Sequence, residues 1–492
     1  MFCAGAAWAQ DGRWWRAESA KFIVYGEGGE RQVRDAARAL EDFDIVLRTL
    51  TNPPERPSTN KLEVFLVRNH AGLLQANPSL GSNVAGFYQA GSEQIAAFAI
   101  DDRGSEGREI LFHEYAHHYM LHNFPSAYPR WYVEGFAELV STTEIRMGQA
   151  RVGRNSERRA SWLQYADLLT IEQLLRPERY ERSPEFEARF YALSWLAAIY
   201  LFNNSRYQRG LERYVEALSG GADSIEAFEP AFGVTPETFE RELRAFRRGR
   251  IGIIGIALPD QTAPITVTRL PAEADALLLP LARLRIRGSA RVQPELAAEI
   301  ERLARPYENT HMGRIALARA AMMREDFDSA RTTLEAMVAE GANNAEVRYL
   351  LAYITLLSVR GVQDYAQVSA AIADVRAQLA ASFRAHPDYF PTLYLYAWTF
   401  TNGRDPLSEA QLNILDRALD LAPQSSEIRL LFAQELMRAR EFETAELVLQ
   451  PLIYAPHNPG AAARARILLE TARRRAPPPV FVDVEREEAE AD

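Results

Sequence analysis

The stretch LFHEYAHHYM, Leu111–Met120, places His113, Glu114 and His117 in the spacing H-E-x-x-H. On a helix, residues four apart share a face, so the imidazoles of His113 and His117 can meet at one point. Imidazole nitrogens are ready zinc donors, and a catalytic zinc takes three protein ligands and keeps a fourth position open. Glu114 lies beside the metal-facing edge, where a carboxylate could take a proton from a metal-activated water. In a chain with eight histidines such a pattern arises by chance in roughly one sequence in a hundred, so a third ligand decides. Glu134, in YPRWYVEGFAELVST, is the candidate. Pro129 is placed to open a second helix, which Trp131, Phe136, Leu139 and Val140 continue. Packed on the first helix, it would bring Glu134 to the same metal. Glu138, four residues on, could accept a hydrogen bond from the outer nitrogen of a liganding histidine.

With these residues in place, HEYAH followed by WYVEGFAE resembles the gluzincin metallopeptidases, in particular the bacterial peptidase MA-like group. The resemblance spans roughly residues 14–250, and its specific part is the two-helix core. It implies Zn2+ held by His113, His117 and Glu134, with Glu114 as general base and Glu138 behind His113. It implies a substrate strand at Ala85–Phe87 in VAGFYQ, along which an extended peptide pairs. EARFYALSWLAAIYLF resembles the group's following helix, and Tyr191 near its start is the candidate to steady a tetrahedral oxyanion. VAGFYQAG carries no acidic residue to hold a free amine, which argues against an aminopeptidase. The expected function is therefore hydrolysis of a peptide or protein substrate. The rival is an interaction scaffold whose zincin-like domain is catalytically silent; the retained ligands and Glu114 speak against it. A site gated by the rest of the chain is a third possibility.

The remaining histidines read differently. His118 and His122 form a second i, i+4 pair with no acid to complete a site, and are expected as partly exposed helix residues. His70, His311, His386 and His457 stand apart, as structural histidines do.

At 492 residues the chain is too long for one core. It is 47% hydrophobic and 25% charged, as globular proteins are. The net charge of −10 excludes nucleic acid as a main partner, because phosphate binding needs a basic face. Lys21 and Lys61 are the only lysines among 56 basic residues, which reads as coding bias. No apolar run is long enough for a transmembrane segment. Residues 1–10, with Ala7-Trp8-Ala9 as a cleavage signature, read as a signal peptide whose beginning is missing. Periplasmic or secreted placement in a bacterium follows as an expectation. Cys3, the sole cysteine, rules out an internal disulfide.

From 11 to 250 the pattern is α+β, a zincin-like catalytic domain: KFIVYGE, KLEVFLV, VAGFYQ and QIAAFAI alternate as strands, and helical periods follow. Residues 251–295 carry prolines and apolar runs without helical period, and are expected as an interdomain linker. From 296 to 475 the chain reads as an all-α solenoid of helix pairs. Ala318, Phe327, Ala330 and Leu334 superimpose on Ala433, Phe442, Ala445 and Leu449, and Ala352 and Ala397 sit in comparable settings. The step from Ala318 to Ala352 is the ~34 residues of a tetratricopeptide unit. The step to Ala397 is longer and implies an insertion around SVRGVQDYAQV. Such repeats resemble tetratricopeptide arrays, which would recruit a protein partner. Residues 476–492 are proline-rich, then acidic, and are expected to be a disordered tail.

Overall fold

The structure is a computed structural model. It describes residues 11–479 apart from 57–59, 83, 102–105, 155–167, 182, 250, 260–263, 288–293, 342–343, 402, 404 and 455–457. The expected leader at 1–10, His457 and all but the first residues of the acidic tail lie outside the described residues. No helix among the described residues is long and apolar enough to cross a membrane.

The chain begins with strand β1 (Asp11–Glu18), β2 (Phe22–Gly26), helix α1 (Glu30–Thr51), β3 (Leu62–Val67), α2 (His70–Ala76), β4 (Gly86–Ala90) and β5 (Ile95–Ile100). With β9 (Thr266–Pro271) these strands form one sheet in the order β4-β5-β3-β2-β1-β9. The β2–β3 and β3–β5 pairs are parallel, while β4 runs antiparallel to β5 at one edge. LEVFLV and IAAFAI are buried almost throughout, because both faces of the sheet are covered. Tyr25, Phe65, Phe98 and Phe87 stack across four neighbouring strands on one face, with ring centroids 4.6–4.9 Å apart. The other face presents Phe22, Val24, Val64, Leu66, Ala97 and Ala99 to α1 and to α3 (Glu106–Asn123).

Helices then dominate. α4 (Arg130–Ser141) follows α3, then β6 (Glu144–Arg146), β7 (Gln149–Val152), α5 (Ile171–Leu175), α6 (Pro184–Asn203), α7 (Ser205–Ser219), α8 (Phe228–Phe232) and α9 (Pro236–Arg248). β8 (Ile254–Ala257) pairs with β7, completing a small antiparallel sheet β6-β7-β8.

The linker expected at 251–295 is corrected here. Its first part is β8, its middle is β9 paired to β1, and its last part is α10 (Ala274–Arg287). α10 is shared between the two halves of the molecule. Ala274, Leu278, Ala282 and Ile286, at helical spacing, bury against the aromatic face of the sheet. Leu277, Leu281 and Leu284 on an adjacent face enter the core of the helical array. The first unit therefore runs on to Arg287 rather than ending near 250.

The array continues as α11 (Pro294–Ala304), α12 (His311–Met323), α13 (Phe327–Ala339), α14 (Ala345–Ser358), α15 (Tyr365–Ala385), α16 (Phe390–Trp398), α17 (Glu409–Leu421), α18 (Ser426–Arg438), α19 (Phe442–Leu449) and α20 (Pro459–Arg473). Each helix packs on the next, and Ala318, Ala352, Ala397 and Ala433 are all wholly buried, as small residues at helix crossings are. The insertion expected near SVRGVQDYAQV lengthens α15 to 21 residues, against 13 in α13.

Ion pairs add to the apolar joint. Arg319 of α12, fully buried, reaches Glu93 in the β4–β5 turn at 2.9 Å and Glu346 of α14 at 3.0 Å. Arg285 of α10 grips Glu346 with two bonds of 3.0 and 2.8 Å. Burial works against charge on Glu346, but Arg285 and Arg319 outweigh it and hold its pKa down at about 2. Replacing one member of a buried ion pair typically costs about 3–5 kcal/mol. Arg319→Met should accordingly lower the free energy of unfolding by that order in a denaturant titration. A variant as stable as the parent would mean that the apolar core alone joins the array to the sheet.

Candidate metal centre

α3 is fixed from behind. Phe112, Tyr115, Ala116 and Tyr119 are buried against α1 and the sheet, and the Phe112 ring stacks on Phe43. The Tyr115 hydroxyl donates to Asp44 of α1 at 2.7 Å, and Asp44 is also held by Lys21 and by Arg48 at 2.9 Å. That anchoring turns His113 and His117 toward α4.

α4 opens after Pro129, as the sequence predicts, and is buried along nearly its whole length. Its apolar residues pack inward, and Glu134 and Glu138 face α3. Glu134 is wholly buried. Gly135 allows the third helix to close in. A Cβ added there would stand 2.3 Å from the Ser194 carbonyl oxygen of α6, so α4 and α6 meet nearly backbone to backbone. This contact carries Tyr191 to the site, with its ring centroid 6.3 Å from that of His113. On the far side, a Cβ on Gly86 would lie 2.6 Å from Ile110 of α3, and β4 sits close against the same helix.

The three expected donors converge. His113 Nε2 and His117 Nε2 are 3.0 Å apart, and Glu134 Oε2 lies 3.4 Å from the first and 3.5 Å from the second. Metal bonds of 2.0–2.2 Å in a tetrahedral site set ligand atoms about 3.3 Å apart, and all three observed edges are close to that. Two imidazoles and a carboxylate suit zinc among common ions. Among the described residues this is the group of histidines and acids with the geometry to hold a metal. Glu138 Oε1 is 3.4 Å from the outer nitrogen, Nδ1, of His113, where it can orient that ring. Glu114 is half-buried and lines a cleft of about 600 Å³ together with His117 and β4.

The charges of the cluster favour a cation at its centre. Burial opposes a proton on His113, but its hydrogen bond to Glu134 and the fields of Glu138, Glu114 and Glu134 prevail and raise its pKa to about 9. His117 is pushed down, chiefly by burial. Tyr191 is pushed well up by burial and then by Glu134, so its phenol keeps its proton and can donate.

Two residues differ from the sequence reading or escape it. His118 is buried rather than partly exposed, with its ring against Tyr115 and its Nδ1 3.1 Å from the Tyr88 hydroxyl. Burial, then His122, pushes its pKa down to about 3, so it is neutral. Tyr88 lines the cleft, and the sequence reading misses it. Strand alternation could have found it: Phe87 joins the aromatic stack, so Tyr88 must face α3. His70 and His311 sit in local hydrogen bonds away from the site, and His386 caps α15.

No family model matches the chain, and no curated protein matches it. Among solved structures, a thermophilic TPR protein of Thermus thermophilus aligns at 17% identity with a TM-score of 0.35, covering 40% of this chain and 100% of that one.

Two outcomes are expected. Alanine is a better helix former than glycine by about 1 kcal/mol, yet Gly135→Ala should destabilise the protein by about 1–3 kcal/mol, because the clash is with backbone. A variant that melts higher than the parent would show that α6 yields freely. A zinc ion held by these donors would have to displace the His113 proton, so raising the pH would remove the competitor. Apparent zinc affinity should rise about tenfold per pH unit between 6 and 8 and level off near 9; competition titration would detect a flat profile, which would contradict the charge balance.

Proposed function

We propose that the protein is a zinc-dependent peptidase. The observation that carries this reading is the meeting of His113, His117 and Glu134 at metal-ligand spacing, with His117 on the wall of a cleft that Glu114 and the β4 edge also line. A zinc ion held there would supply Lewis acidity toward a carbonyl and lower the pKa of a water.

The chain's own residues supply the rest. Among the described residues β4 has one neighbour in its sheet, so the amide and carbonyl groups of its outer side can pair with an extended substrate backbone. That edge favours a peptide over other hydrolysable ligands. Glu114 takes the proton of the attacking water and returns it to the leaving nitrogen. Tyr191, kept protonated by burial and Glu134, donates toward the developing oxyanion. Glu138 holds the His113 ring in place. The repeats supply the opposite wall, through Gln424, Ser426, Glu427, Leu452 and Tyr454, and so govern what enters. Gln424 Nε2 donates to the His118 carbonyl at 3.2 Å, which fixes that wall to the metal helix.

The test separates metal from turnover. The parent and Glu114→Gln should each carry about one zinc per chain, and Glu134→Ala should lose most of it. Against a panel of quenched fluorescent peptides, Glu114→Gln should lose activity by about 10²–10⁴-fold. Undiminished hydrolysis by Glu114→Gln would sink the proposed mechanism. A parent that takes up no zinc would leave the rival reading, a silent zincin-like domain in a scaffold.

A further inference from the structure

Two walls of different origin enclose the cleft, and their charges are one-sided. Among the described residues that line it, Glu114 and Glu427 are the acidic ones, and none is an arginine or lysine. This stands out in a chain with 56 basic residues. Glu114 is assigned to proton transfer. Glu427 stands in the first turn of α18, on the wall supplied by the repeats.

We infer that the cleft selects substrates bearing a positive charge, an ammonium or guanidinium group, and that Glu427 is the residue that reads it. The inference rests on the peptidase reading and adds to it the class of substrate.

Three observations support the assignment. Glu427 remains solvent-accessible, yet the surrounding protein and Glu93 push its carboxyl pKa up, against a Ser92 hydrogen bond and the field of Arg464. That is the state of a carboxylate on a cleft wall whose described lining offers it no arginine or lysine. Glu93 is engaged by Arg319, and Arg464 does not line the cleft. A ligand cation would supply what the site lacks, whereas a ligand carboxylate would face two like charges. Gln424, three residues before Glu427, is tied to the metal helix, so the carboxylate keeps a fixed place relative to the scissile bond. The net charge of −10 steers encounter in the same sense.

The cation can be the side chain of a lysine or arginine, or the free amino terminus of the peptide. Calorimetric titration on the full-length Glu114→Gln chain distinguishes them, because nothing is turned over and the other cleft carboxylate is absent. Three matched hexapeptides serve as probes: one acetylated with a central lysine, one with a free amino terminus and glutamine at that place, and one acetylated with glutamine. At least one cationic peptide should bind ~10-fold tighter than the neutral one. Adding Glu427→Gln should bring all three to within about twofold of one another. Glu427→Lys should reverse the order in favour of an acetylated peptide with a central glutamate. Preference for the lysine peptide identifies a side-chain subsite, and preference for the free amine identifies an amino-terminal one. Equal binding of the three probes, a preference that survives both substitutions, or no binding at all overturns the inference. Cleavage of the neutral peptide by the parent reports separately on the peptidase reading.

Discussion

Everything around the site follows from one electrostatic constraint: Glu134 carries a carboxylate at a position with no solvent exposure. An ion so placed costs several kcal/mol unless opposite charge meets it. Here the compensation comes from the His113 imidazole on a neighbouring helix, beside His117, whose protonation burial disfavours, and two further carboxylates. Five groups with this balance call for a cation. Without a metal, a proton on His113 fills the role, with its pKa raised to about 9. A divalent ion would fill it better, because it can meet all three donors at once. Glycines at 135 and 86 make the arrangement sterically accessible, letting α6 and β4 approach the helices that carry it.

The helical array is part of this arrangement rather than an appendage. α10 presents one stripe to the sheet and another to the array. The Arg319 network ties the β4–β5 turn to α14, and the largest apolar core runs without a break from α3 and α4 into α16–α20. Buried arginines of this kind do not stabilise by much more than apolar residues would. They do specify one docking geometry, since any other leaves charge buried without a counter-ion. Fixed docking is what allows a residue of α18 to line the same cleft as Glu114 and His117 of α3.

How much of this is legible in the sequence depends on the range of the contacts involved. The i, i+4 pair His113 and His117 and the helix opening at Pro129 are local, and the amino-acid pattern is enough to put the two histidines on one helix face and to nominate Glu134 as their neighbour. The period of the repeats is nearly local too. The segment after Ile251 reads as a linker because its structure depends on distant partners. β9 pairs with β1 across the length of the first unit and has little apolar alternation of its own, as an exposed edge strand. α10 contains Pro280, which breaks the period that would have marked a helix. His118 reads as partly exposed because no local feature signals that Tyr88 and Tyr115 enclose it. Glu427 escapes the sequence altogether, since nothing in a helix amino terminus indicates what stands opposite.

Division of labour among three structural types explains why these distant parts meet. A pair of helices can hold metal donors to a fraction of an ångström, because their backbones are rigid and their faces repeat every turn. A sheet edge offers a row of backbone groups and so favours an extended chain without regard to its side chains. Neither element distinguishes one peptide from another. On the peptidase reading, discrimination needs side-chain groups at a distance from the reacting carbonyl, and the array would supply them through Gln424, Glu427, Leu452 and Tyr454. If the helix pair and the strand edge are constrained by such chemistry, the array wall is where selectivity could change without disturbing the candidate metal donors. The anchoring of that wall to the His118 carbonyl means that such changes act at a defined distance from the site.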